Sequence, residues 1–146
     1  MKNDNTLMNH AADNIRILAA AMVEKAKSGH PGGAMGGADF INVLYAEYLQ
    51  YDPANPKWEG RDRFFLDPGH MSPMLYAQLA MTGKFTMDEL KNLRQWGSPT
   101  PGHPEVDVIR GIENTSGACS QEFGGDGSSD GEDMALSQRT GSVFYQ

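Results

Sequence analysis

The run Ser28-Gly29-His30-Pro31-Gly32-Gly33 is the feature that most restricts how this chain can fold. Ahead of it, from Thr6 to Lys27, Leu7, Ala11, Ile15, Leu18, Met22 and Ala26 recur at steps of three and four, which predicts an amphipathic helix ended at Gly29. The glycines and proline that follow stop that helix and leave main-chain amides exposed around one imidazole. The chain must turn here, and anything it binds comes close to the backbone.

The same pairing recurs twice. Gly69-His70 precedes an apolar stretch, and Thr100-Pro101-Gly102-His103-Pro104-Glu105 lies between loop regions, so three of the four histidines directly follow glycine. His10, in a polar helical N-terminus, reads as a solvated surface group. An imidazole exchanges protons near neutrality and both donates and accepts hydrogen bonds. Three of them in turns suit proton transfer on hydroxyl or carbonyl substrates, or the gripping of phosphate.

The 146 residues are enough for one domain with a real core. Apolar residues at 39% make it globular, and a net charge of -7 without a basic patch argues against nucleic acid or an anionic membrane as partner. The single cysteine, Cys119, excludes an internal disulfide and points to a reducing compartment. The polar start, Met1 to Thr6, has no signal-peptide core, and no run approaches a membrane span, so the expected location is the cytoplasm.

A second helix is expected over about 34–49, with Phe40, Ile41, Leu44, Tyr45 and Tyr48 on its apolar face and its first turn offering free amides beside His30. Arg63-Phe64-Phe65-Leu66 reads as a buried strand, which puts Gly69-His70 just past its C-terminal end, where open α/β sheets bind ligands. A third helix is expected over about 71–81. Thr86-Met87-Asp88-Glu89 is a capping box for a fourth that carries Leu90, Leu93 and Trp96 before Gly97 and Pro99 stop it. Met71, Met74, Met81 and Met87 are assigned to packing rather than to a soft metal site.

Taken in order, Ser28-Gly29-His30-Pro31-Gly32, Asp62-Arg63-Phe64-Phe65-Leu66 with Pro68-Gly69-His70, Pro101-Gly102-His103-Pro104-Glu105 and Gly111-Ile112-Glu113-Asn114-Thr115-Ser116-Gly117 resemble the N-terminal portion of the transketolases. The resemblance implies an α/β class: part of a thiamine diphosphate-binding fold, helix-rich, with parallel strands. It implies transfer of a two-carbon ketol unit between sugar phosphates, with thiamine diphosphate as electron sink and Mg2+ on its diphosphate. By motif position His30 and His103 would contact substrate oxygens and move protons, while His70 and the Gly117 region would hold the diphosphate. Family membership also implies a homodimer or a complementary chain.

The recognisable motifs stop near Gly117, dividing the chain into 1–117 and a divergent Gly/Ser/acidic tail, 118–146, expected to be flexible. In place of the family's Pro-Leu-Gly-Gln-Gly the chain reads Ala118-Cys119-Ser120-Gln121-Glu122. Gly125-Asp126-Gly127 imitates the magnesium motif but comes early, so no metal ligand is assigned. Asp126, Ser128 and Asp130 with Gly131 imitate part of a calcium loop whose closing position holds Ser137. The family's second domain is not expected within this chain. The alternatives to a working transferase are a phosphate-binding remnant without turnover and an interaction protein that binds metal through the acidic tail.

Overall fold

Helix α1, Asn5–Ala26, begins where the Asp4 carboxylate accepts from the Thr6 amide at 3.0 Å and ends as Lys27 turns left-handed. Its core stripe is Ala12, Ile15, Ala19 and Met22. That stripe is rotated from the expected one: Leu7 is exposed, and Leu18 and Ala26 only border the core. The alanines decide the rotation, because their small side chains let three further helices approach α1 closely. The computed structural model describes residues 4–116 and 143–145.

The second helical stretch starts earlier than the apolar pattern predicts. Helix α2, Pro31–Gly36, has His30 at its N-cap and Pro31, whose φ is already helical, in its first turn. Gly37 separates it from α3, Ala38–Val43, after which Leu44–Tyr48 widens into a π-turn. Ile41, Leu44 and Tyr45 are buried as the periodicity requires, whereas Phe40 and Tyr48 are exposed.

Strand β1 is Phe64–Leu66, and it pairs in parallel with β2, Val143–Tyr145, in the register Phe64 with Val143 and Leu66 with Tyr145. A parallel pair and a dominant helical content agree with the α/β class. A 3-10 turn, Gly69–Met71, leads into α4, Ser72–Met81. Every residue of α4 from Ser72 to Leu79 is buried, which marks it as the central helix, packed on α1, α2 and α3. Met71 and Met74 are in the core as assigned, but Met81 and Met87 are exposed.

The capping box at Thr86 is present, and the helix it starts, α5, is only Met87–Leu90. Turns replace the rest of the expected fourth helix: Leu93 still reaches the core, and Trp96 is fully exposed. Arg94 explains the break, since its left-handed backbone (φ 60°) directs its amide to the Thr100 carbonyl at 2.9 Å. Among the described residues no helix is long and apolar enough to cross a membrane.

Candidate functional site

The three Gly-His turns gather at the N-terminal end of α4. His70 lies in the 3-10 turn between the C-terminal end of β1 and the start of α4, and His30 caps α2 beside it. Their rings meet edge to face, 5.0 Å between centroids. What permits this approach is the glycine side of α2. A Cβ on Gly33 would stand 3.0 Å from Met71 Cγ, and one on Gly37 would stand 2.5 Å from Met74 Sδ. Two missing methyl groups thus seat the His30 turn against the His70 turn. His30 is exposed and His70 half-buried, so the pair faces solvent.

His103 is on the loop between α5 and the Val108–Arg110 turn. Ser72 Oγ donates to the Gly102 carbonyl at 2.8 Å and Tyr76 Oη to the Pro101 carbonyl at 2.9 Å. Both donors belong to the first turns of α4, so the helix that follows His70 also fixes the loop that carries His103. Burial pushes the Tyr76 phenol well above its ordinary pKa and keeps it a neutral donor. His103 lines an open cleft with Arg94, Trp96, Glu105, Asp107 and Ile112.

The segment from Gly111 to Ser116 connects β1 to this loop. The buried Asn114 amide accepts from the Leu66 N–H at 3.2 Å and donates to the Leu66 carbonyl at 3.4 Å, which satisfies a strand edge with a side chain. Val106 N–H donates to Thr115 Oγ1 at 3.0 Å, and Ser116 N–H to the Pro104 carbonyl at 3.1 Å. Ser116 Oγ is buried with no hydrogen-bond partner among the described residues. Beside His70, partial burial raises the Asp67 carboxyl above its ordinary value while the charge of His70 opposes the rise.

Gly117, Cys119, the Gly125-Asp126-Gly127 sequence and the calcium-like positions Asp126, Ser128, Asp130, Gly131 and Ser137 lie outside the described residues. Among the described residues no three His, Cys, Asp or Glu side chains come together as metal ligands. Sequence reasoning passed over Ser72, Tyr76 and Arg94, and quoted Asn114 in a motif without giving it a role. Their polar groups in or beside apolar segments were the available signal, and their partners are 25 to 66 residues away.

A family model described as the transketolase thiamine diphosphate-binding domain matches residues 7–145. The chain belongs to this transketolase family. The matched span runs past Gly117, beyond the last motif recognisable in the sequence. Transketolase 1 of Escherichia coli is 46% identical over 130 residues, 88% of this chain and 19% of that protein. The chloroplastic transketolase-1 of Arabidopsis thaliana is 48% identical over 120 residues, 81% of this chain and 16% of that one. The solved transketolase of Leishmania mexicana superposes with a TM-score of 0.74 at 46% identity, covering 80% of this chain and 18% of that structure. A Pichia stipitis transketolase solved with sedoheptulose-7-phosphate gives 0.73 at 36%, covering 82% and 18%. The chain therefore spans about a fifth of the length of the transketolases it matches.

Proposed function

We propose that this chain forms the diphosphate side of a transketolase site, where a two-carbon ketol unit passes between sugar phosphates within an assembly longer than these residues. The observation that carries the reading is the convergence on one end of α4: the His30–His70 ring contact, and the His103 loop fastened by Ser72 and Tyr76. The sugar phosphate in the Pichia stipitis complex supports the substrate class.

The residues present fit thiamine diphosphate. Ser116 Oγ is a buried oxygen with no hydrogen-bond partner among the described residues, next in sequence to Gly117, and the half-buried His70 ring brings a donor beside the end of β1. His70, Ser116 and the Gly117 main chain would hold the diphosphate. When bound, the cofactor supplies the electron sink that cleavage beside a carbonyl requires. The Mg2+ ligands would come from outside the described cluster. His30, exposed at the α2 N-cap, and His103, on a rigid Pro-Gly-His-Pro loop, hold and move protons at substrate hydroxyl and carbonyl oxygens. A reducing, cytoplasmic setting fits the lone cysteine.

The test is a circular dichroism thermal melt of the chain with and without thiamine diphosphate and Mg2+, followed by a ketol-transfer assay of the longer assembly that contains it. A ligand that binds only the folded form raises the midpoint. An upward shift with ketol transfer supports the reading. A shift without transfer leaves a phosphate-binding remnant, and an unshifted melt removes the cofactor site from this chain. In the active assembly His30→Ala and His103→Ala should each lower kcat/KM by roughly a hundredfold at an unchanged melting midpoint. Full turnover by both would exclude them from proton transfer.

A further inference from the structure

Arg94 joins the two turns that carry His30 and His103, and no motif or matched description accounts for it. Its backbone is left-handed at φ 60°, which is costly for a residue with a Cβ, and such outliers persist only where surrounding contacts hold them. Here the contacts are specific. Its amide donates to the carbonyl of Thr100, and the fully buried Thr100 side chain is itself anchored to the Glu89 carbonyl at 3.1 Å. From that fixed origin the guanidinium crosses the face of Gly102. A Cβ on Gly102 would stand 2.5 Å from Nε and 2.9 Å from Cζ, so only glycine admits the side chain in this path. Beyond Gly102, Nη1 donates to Ser28 Oγ at 2.8 Å.

Ser28 is two residues from His30, and Gly102 is the residue before His103. Among the described residues Arg94 forms no ion pair with a carboxylate, although Glu105 and Asp107 line the same cleft. A neutral hydroxyl is a weak electrostatic partner for a guanidinium. The planar, rigid fork suits it instead as a strut between two loops.

We infer that Arg94 is a positioning residue, a clasp that sets the separation of the His30 and His103 turns. Its effect on turnover rests on the function proposed above. The clasp itself does not.

The test is histidine-ring NMR on the 146-residue chain labelled with 13C-histidine, with His10 on α1 as internal reference. Gly102→Ala pushes the flexible arginine aside, so it should move the His30 resonances as well as those of His103. Ser28→Ala should move the His103 resonances as well as those of His30. Both cross-effects should vanish when Arg94→Met is already present, while His10 and the melting midpoint stay in place. Cross-effects that are absent with Arg94 intact, or that persist after Arg94→Met, would overturn the clasp.

In the active assembly, Arg94→Met should lower kcat/KM about tenfold or more, since an ångström of misplacement can cost a hundredfold. Arg94→Lys should restore little of it, because an ammonium lacks the fork. Wild-type turnover by Arg94→Met would overturn the positioning role. If the wild type performs no ketol transfer yet the NMR cross-effects hold, the proposed function fails and the clasp stands.

Discussion

Two glycines one residue apart in α2 and at its end have opposite reasons for being there. A Cβ on Gly37 meets Met74 Sδ at 2.5 Å and Met71 Cε at 3.2 Å, and both methionines are buried, Met74 completely. A Cβ on Gly36 meets nothing within 4 Å. Gly37→Ala should therefore destabilise the fold by about 1–3 kcal/mol, the usual cost of overpacking. Gly36→Ala should be neutral or stabilise it by up to about 1 kcal/mol, since a helical glycine gives up more backbone entropy than alanine. Urea denaturation of the two variants reads the difference in sign. Equal effects would mean that glycine is retained for helix propensity alone, and that closeness to α4 does not seat the His30 turn. Asn114 offers a second check at this scale. Asn114→Leu strands the buried Leu66 N–H and should cost about 1–3 kcal/mol in the same experiment.

Helix α5 is one turn long, so its stability rests on its ends. Thr86 Oγ1 accepts from the Glu89 amide at 3.2 Å, and the Glu89 carboxylate accepts from the Thr86 amide at 2.8 Å and pairs with Arg110 at 2.8 Å. The Arg110 hydrogen bond, ahead of that from Thr86, lowers the Glu89 pKa from 4.5 to about 2. A carboxylate depressed by folding adds stability above its unfolded pKa and loses it as pH falls through the folded one. The loss should thus lie between pH 4.5 and about 2. Glu89→Gln should flatten the acid limb of the stability curve across that window, and an unchanged limb would remove the Arg110 pairing from the account. Thr86→Ala should cost about 1 kcal/mol at neutral pH. The capping box was legible because Thr86 and Glu89 are three apart in sequence, and so were the buried β1 and the histidine turns. The early end of α5 was not. Leu90 and Leu93 keep helical spacing, but the left-handed Arg94, held by Thr100, breaks the helix through a contact that periodicity cannot carry. The rotated stripe of α1 escaped for a related reason: which face is buried depends on how closely α2, α3 and α4 approach, and Ala12 and Ala19 permit that approach without announcing it.

At the scale of the whole molecule, the Arg61–Glu113 ion pair joins two irregular segments far apart in sequence. Arg61 donates to Glu113 through Nε at 2.7 Å and Nη2 at 2.8 Å, and to the Trp58 carbonyl through Nη1 at 2.9 Å. Both side chains are nine-tenths buried, so the pair is bidentate and desolvated. It ties the irregular stretch between the π-turn and β1 to the strand-edge segment around Asn114. Desolvation offsets much of the attraction in such a pair, whereas removing one partner leaves a buried charge alone. Arg61→Met or Glu113→Leu should each cost about 3–5 kcal/mol, a large share of the roughly 5–15 kcal/mol that holds a domain folded. The double substitution should cost much less than the sum, because it strands no charge. A double-mutant cycle by urea denaturation measures the coupling directly. Strong coupling makes the pair a lock that brings Asn114 to Leu66 and so closes the end of β1 where His70 stands. Additive losses would mean that each side chain matters through its own packing, and the Asn114 amide alone would then have to hold the site's edge.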